Sequence, residues 1–329
     1  MRFVLACGFI LVLASVCAAC AGASRSTLPA EQSLAAVREV EVPAGDVTLH
    51  ARIAGSITPA PVPGGGDRRS GSVLIAIHGG PGMSSDYMIG LEQLAGPDLA
   101  VVTYDQRGTG RSTSPPANAS SYDLLQYVAD LEAVRQAVGA EQVYLFGHSW
   151  GGVVAMRYAT VHPQRVRAIV LMGSGPPSAE AARAGQVRLA RRIARLQEQG
   201  IIPQRISALE EILLAYIADP GAGLPDALRD LDYNATVEQL TWAALDDYDF
   251  TAEVARLDCP VLMLWGESDP FGLPMAEATR SALSAAGERT RSPVEFVLLQ
   301  GCGHFWHECP DAFFGQVRSF LDRAADPAV

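Results

Sequence analysis

The chain passes from an apolar β-rich run, Val143-Tyr144-Leu145-Phe146, through Gly147-His148-Ser149-Trp150-Gly151 into a helix-like run over 152–160. No other stretch restricts the fold as much. A strand that stops abruptly and becomes a helix must turn tightly at the serine, and the small residues around it let the backbone do so. Such a turn lifts Ser149 Oγ clear of the sheet, while the helix behind it points its N–H groups and positive dipole end at the same spot. Ser149 is therefore the expected nucleophile. The competing reading of the pattern alone is an ordinary strand-turn-helix that carries a serine by chance.

A nucleophilic serine needs a base, the base needs an orienting carboxylate, and the developing oxyanion needs donors. The run Pro260-Val261-Leu262-Met263-Leu264-Trp265 reads as a buried strand and is followed by Gly266-Glu267-Ser268-Asp269, which puts Asp269 on a loop at a strand's carboxyl end. The strand expected at 168–172 is followed by Gly173-Ser174-Gly175-Pro176-Pro177, with no carboxylate, so Asp269 is preferred as the acid. For the base, six histidines compete. His50 falls on a strand, His162 at a helix end, and His78 and His148 in turn motifs. His304 follows the strand expected at 294–299, on a loop able to swing over the serine. Glu267 and His307 are the rivals of Asp269 and His304, and both are read as solvated or supporting groups.

The oxyanion donors are expected from His78-Gly79-Gly80-Pro81-Gly82, which closes a strand at 73–77. A turn this rich in glycine lets the backbone approach a ligand with no side chain in the way. One donor is assigned to the Gly80 N–H and the other to the Trp150 N–H, with His78 as a hydrogen-bonded strut for the turn.

Around these motifs the pattern alternates. Strands are expected at 37–42, 47–54, 73–77, 99–104, 143–146 and 166–172, with helices near 85–95, 124–138 and after Ser149. Short apolar strands alternating with helices mean an α/β protein whose mostly parallel sheet is flanked by helices on both faces. From about 176 to 250 only helical stretches appear, at 187–199, 209–218 and 237–245, interrupted by Pro203, Pro220 and Pro225. An insertion there makes a helical cap over the carboxyl ends of the strands, with Tyr233 and Trp242 as candidates for its substrate-facing underside; plain core packing is the other reading of both. The domain reading is an export signal at 1–20, a tether at 21–36, core at 37–175, cap at 176–250 and core again at 251–329.

Three of these motifs taken together resemble one family. His78-Gly79-Gly80-Pro81-Gly82, then Asp105-Gln106-Arg107-Gly108-Thr109-Gly110-Arg111-Ser112, then Gly147-His148-Ser149-Trp150-Gly151-Gly152 look like the proline iminopeptidase group of the α/β-hydrolases. The order Ser149, Asp269, His304 is also the one that the α/β-hydrolase fold requires. The resemblance implies a serine hydrolase, without cofactor or metal, that removes an N-terminal residue, often proline, from short peptides or aminoacyl amides. It gives Asp105, Arg107 and Arg111 a structural role as braces of the loop beneath the serine. One position departs from the pattern. Several relatives carry a glutamate after the acid, where it helps hold the substrate's amino group, but here Pro270 follows Asp269. An amine-binding carboxylate would then come from the cap, among Glu210, Glu211, Glu238, Asp246, Asp247 and Asp249. Two alternatives stay open: a carboxylesterase or amidase acting on small acyl compounds, and a hydrolase fold that only binds its ligand.

A formal net charge of −11 offers no electrostatic basis for binding nucleic acid or anionic lipid. The apolar run 3–19 after Met1-Arg2 reads as an export signal. Cys17-Ala18-Ala19-Cys20 suits lipidation and membrane attachment at Cys20, Ala21-Gly22-Ala23 suits cleavage and release, and an uncleaved anchor is the third reading. Cys302 and Cys309 flank His304, where a disulfide would pin the loop of the base. Zinc binding by Cys302, His304, His307 and Cys309 is the weaker reading, because their spacing matches no established zinc pattern.

Overall fold

A computed structural model describes residues 36–57, 71–285 and 294–325. The export segment 1–20 with Cys20, the cleavage site near Ala23, the tether up to residue 35 and the loop residues 58–70 lie outside the described residues.

The chain opens with an antiparallel pair, β1 (Val37–Ala44) and β2 (Val47–Ala54), followed by β3 (Ser72–Ile77), β4 (Leu99–Tyr104), α1 (Leu124–Ala137), β5 (Val143–His148), α2 (Trp150–Val161) and β6 (Val166–Met172). Four helices come next with no strand among them: α3 (Ala179–Glu198), α4 (Leu209–Leu213), α5 (Ala235–Leu245) and α6 (Thr251–Val254). The sheet resumes with β7 (Val261–Gly266), α7 (Leu273–Ser284), β8 (Val294–Leu299) and α8 (Pro310–Ala325). The eight strands form one sheet in the order β1-β2-β4-β3-β5-β6-β7-β8, parallel from β4 to β8.

Every residue of β5 and β7 is buried, because helices cover both faces of the sheet. Alternate residues feed separate cores. Val73, Ile75 and Ile77 of β3 pack with α1 and α2, whereas Leu74 and Ala76 pack with α8 and the helical turn at 86–94. A third cluster, with Leu189, Leu196, Ala215, Trp265, Phe271 and Met275, fastens the inserted helices to the carboxyl end of β7 and to α7.

Three expected helices differ from the observed ones. The segment near 85–95 is a 3-10 helix, Asp86–Leu94. Helix α3 starts at Ala179, eight residues before the expected start at 187, because the Ala179 N–H is held by the Tyr248 carbonyl at 2.8 Å, just past the two prolines. Helix α4 ends at Leu213 and not at 218. Its would-be continuation spends its backbone groups elsewhere: the Tyr216 carbonyl accepts from His304 N–H (2.7 Å), the Ile217 carbonyl from Arg192 (2.6 Å), and the Ala218 N–H donates to Glu308 (2.7 Å). Among the described residues no helix is long and apolar enough to cross a membrane.

Candidate active site

Ser149 is the hinge between β5 and α2, with φ 54° and ψ −118°, a backbone conformation that a residue with a side chain rarely adopts. The neighbouring glycines are obligatory there for reasons of space. A Cβ on Gly147 would lie 2.6 Å from the Gly152 Cα, and one on Gly151 would collide with the Ile77 carbonyl. The strained residue is fixed on both sides: Ser149 N–H donates to the Met172 carbonyl, and the Ser149 carbonyl accepts from Gly152 and Gly175, each at 3.0 Å.

The other site residues also stand at the carboxyl ends of parallel strands, where α/β sheets place their chemistry. Asp269 follows β7 and His304 follows β8. His304 Nδ1 lies 2.7 Å from Asp269 Oδ2, and both residues are buried. The second Asp269 oxygen accepts the Phe271 N–H at 2.9 Å, which sets the orientation of the carboxylate. With a carboxylate on Nδ1, that nitrogen carries the proton, and Nε2 presents a lone pair. Nε2 is buried and finds no protein partner among the described residues. Gly173, at φ 53°, leaves room for the pair: a Cβ there would sit 2.8 Å from His304 Nδ1 and 3.2 Å from Asp269 Oδ2.

The glycine-rich turn after β3 abuts the serine, since a Cβ on Gly79 would come within 3.1 Å of Ser149 Cβ. Trp150 is the first residue of α2, where an N–H has no carbonyl of its own helix to bond. Its indole donates to Gln106 Oε1 (2.9 Å), while the Gln106 side chain donates to the His78 carbonyl (2.8 Å) and the Gln106 N–H to His78 Nε2 (2.9 Å). His78 is thus the strut that its place in the turn predicts. Buried without a charged partner in contact, it is held below the ordinary histidine range by desolvation.

The remaining expectations fall out unevenly. Arg107 is buried and makes a two-pronged pair with Asp130, at 2.8 Å on each prong. Arg111 stands at the surface with Glu39 and Asp86, and braces the loop through its backbone N–H to Asp105. Glu267 is exposed, and His307 donates to the Tyr87 carbonyl at 2.9 Å. Cys302 and Cys309 are joined in a disulfide, which withdraws both sulfurs from metal ligation. Tyr233 pairs across a β-bridge with Met83 beside the turn, and Trp242 packs edge-on against Trp150, with ring centres 5.9 Å apart.

Between these two rings sits Glu238, one of the six cap carboxylates. It accepts from the Tyr233 hydroxyl, its side chain is also bonded by Trp242, and its Cβ is 3.4 Å from where a Gly82 Cβ would be. Burial pushes its carboxyl above the ordinary range against the opposing effect of those hydrogen bonds. Asp246, Asp247 and Asp249 are exposed, and Glu211 caps its own helix through Ser207 and Ala208. Sequence reasoning missed Asp130, Tyr87 and Glu308. Asp130 alone left a readable signal, a carboxylate within the apolar stripe of α1.

Residues 72–199 match the alpha/beta hydrolase fold family. The proline iminopeptidase of Levilactobacillus brevis is 30% identical over 226 residues, covering 62% of this chain and 75% of that protein. That of Lactobacillus helveticus is 25% identical over 281 residues, 78% of this chain and 92% of that protein. The crystal structure of the Mycobacterium smegmatis proline iminopeptidase shares the fold with a TM-score of 0.65 at 22% identity, over 87% of this chain and 98% of that one. A strained serine between strand and helix, a mostly parallel sheet with helices inserted after β6, and these relatives converge: the chain belongs to the α/β-hydrolases and is a hydrolase of the proline iminopeptidase-like group.

Proposed function

We propose that the protein is an exported serine hydrolase that cleaves an N-terminal residue, proline foremost, from short peptides or aminoacyl amides. The observation that carries the mechanism is the buried Asp269–His304 pair, whose Nε2 lacks a protein partner, together with the strained serine at the start of α2. His304 Nε2 takes the proton of Ser149 as Oγ attacks the substrate carbonyl. Asp269 keeps the imidazole in the tautomer with Nδ1–H and stabilises the imidazolium. The Gly80 and Trp150 N–H groups hold the oxyanion. Collapse of the tetrahedral adduct breaks the C–N bond, His304 gives its proton to the leaving amine, and water, deprotonated by the same nitrogen, releases the acyl group from Ser149.

The aminopeptidase reading is supported by Glu238, a half-buried carboxylate beside the glycine-rich turn, suited to an ammonium that would be costly to bury unpaired. Pro270 after Asp269 favours the second reading, a carboxylesterase or amidase without amine recognition. A single panel decides: Pro-β-naphthylamide, its N-acetylated form and short-chain p-nitrophenyl esters, with parent and Ser149→Ala enzymes. The free-amine substrate is expected to be the better one, and Ser149→Ala to lose at least about a thousandfold in kcat. Equal or better turnover of the acetylated form would leave only the esterase or amidase. An active Ser149→Ala variant would sink the serine mechanism.

Export rests on residues 1–23, and the N-terminal mass of the mature protein tests it. Lipid on Cys20 and a start at Ser24 are the two cleaved outcomes; an unprocessed Met1 contradicts both and leaves the uncleaved anchor.

A further inference from the structure

The residue before the nucleophile, His148, has no role in the reaction described above, yet it is fully enclosed by the site. Its ring lies 4.8 Å from that of His304 and 4.9 Å from that of Phe305. Its two nitrogens complete a chain of hydrogen bonds that runs from the glycine-rich turn to the loop of the base. Gly79 N–H donates to Tyr87 Oη at 2.5 Å, Tyr87 Oη lies 2.8 Å from His148 Nδ1, and His148 Nε2 lies 3.1 Å from the His304 carbonyl oxygen.

The proton positions in this chain follow from its ends. An amide N–H can only donate and a carbonyl can only accept. Tyr87 Oη therefore accepts from Gly79, and its single hydrogen goes to His148 Nδ1. His148 Nε2 must then carry the ring's hydrogen and give it to His304. Only the neutral Nε2–H tautomer satisfies every member. A protonated ring would set a second N–H against the tyrosine oxygen and strand the tyrosine hydrogen. Complete burial acts in the same direction, holding His148 well below the ordinary histidine range, and the neighbouring His304 adds to it.

Gly79 precedes Gly80, and His304 bears the base. His148 itself is bonded covalently to Ser149. We infer that His148, with Tyr87, is a positioning residue that holds the oxyanion turn and the base in register about the nucleophile. This rests on the reading of Ser149 and His304 given above. The packing demands it as well, because a Cβ on Gly79 would meet His148 Nδ1 at 2.9 Å and Tyr87 Oη at 3.2 Å, so only glycine lets the turn reach the pair. Displacing donors or base by about 1 Å costs up to a hundredfold in rate, so losing the link should lower turnover more than binding.

The test compares the parent with Tyr87→Phe, His148→Gln, the double variant and Ser149→Ala. A glutamine amide can still donate to the His304 carbonyl from the reach of Nε2, but it gives up the tyrosine contact; Tyr87→Phe gives up that same contact and also the acceptor of the Gly79 N–H. Each single variant is expected to label with a fluorophosphonate probe about tenfold more slowly, and to lose kcat on p-nitrophenyl acetate with KM within about twofold. Because Tyr87→Phe already cuts the link that His148→Gln cuts, the double variant should lose no more than Tyr87→Phe alone. Parent rates in both single variants, with Ser149→Ala unlabelled, would overturn the inference and leave the catalytic reading intact. So would losses that multiply in the double variant. Labelling of Ser149→Ala would instead remove the catalytic reading itself. If His148→Gln does not fold, Tyr87→Phe alone decides by the same split between kcat and KM.

Discussion

Glu238 stands apart from the other acidic residues of the inserted helices because burial, and not a basic partner, sets its ionisation. Its carboxyl is raised by desolvation while Tyr233 and Trp242 pull it down. A raised carboxyl is protonated at a pH where an ordinary glutamate is still charged. If Glu238 pairs with the substrate ammonium, acidification should raise KM for Pro-β-naphthylamide at a pH above the usual glutamate range. Glu238→Gln should raise that KM by roughly tenfold to a hundredfold at neutral pH, the scale of a lost charge-assisted hydrogen bond. The KM of an N-acetylated substrate or an ester should not follow in either experiment; parallel changes would remove Glu238 from amine binding. At this scale the sequence was informative wherever a residue's chemistry depends on local context. Ser149, Asp269 and His304 each follow a strand, and the ends of these strands are marked by glycine in the sequence. Glu238 was one of six acids with nothing local to separate them, since a glutamate's burial is decided by what folds over it. Tyr87 was invisible for the same reason: its partners, Gly79 and His148, are separated from it by 8 and 61 residues.

At the scale of elements, three further ties hold the loop after β8, besides the bonds from His148 to the His304 carbonyl and from His307 to the Tyr87 carbonyl. The Cys302–Cys309 disulfide closes it, Glu308 accepts the Gly303 N–H at 2.8 Å as well as the Ala218 N–H at 2.7 Å, and the His304 N–H reaches the Tyr216 carbonyl at 2.7 Å. Two of these ties survive reduction. A disulfide spanning a sequence separation of 7 restricts the unfolded chain by a loop-closure contribution of roughly 2.5 kcal/mol. Cys302→Ser with Cys309→Ser should therefore lower the thermal midpoint by several degrees, while kcat at room temperature stays within about threefold of the parent, because the carboxylate and carbonyl still hold the loop. An unchanged midpoint would contradict this, as would a collapse of kcat in the folded variant. The elements themselves were legible to the extent that burial is symmetric. β5 and β7 are buried on both faces and read as unbroken apolar runs, and α1 and α2 flank β5 where they are expected. The inserted helices were less legible. Residues 214–218 carry helical composition, yet their carbonyls and N–H groups bond to Arg192, His304 and Glu308, and no local pattern encodes those tertiary bonds. The antiparallel edge, in which β2 pairs with β4, likewise depends on a contact between segments distant in sequence.

Over the whole molecule, the site imposes an acid limit on stability, because it buries histidines in neutral form. Burial pushes His307 down to about 4, lowers His78, and holds His148 well below the ordinary value. In the unfolded chain each takes up a proton near pH 6.5. A base whose folded pKa is depressed contributes stability that is present above its unfolded pKa and is lost as pH falls, since the unfolded state then binds protons that the folded state refuses. For these three groups the loss begins at about pH 6.5, above the range in which most carboxylates titrate. Glu132, drawn down to about 2 by its hydrogen bond from Arg135, acts only at lower pH. Between pH 6.5 and 5 the stability from urea unfolding should thus fall by about 1.4 kcal/mol per pH unit for each histidine that stays neutral. His307→Gln keeps a donor for the Tyr87 carbonyl and cannot titrate, so it should make the slope shallower by about one such share, whatever its effect at pH 7. The raised carboxyl of Glu238 acts in the opposite sense, so the test is the difference between parent and variant: a difference that stays flat from pH 7 to 5 would mean that His307 protonates in the folded state.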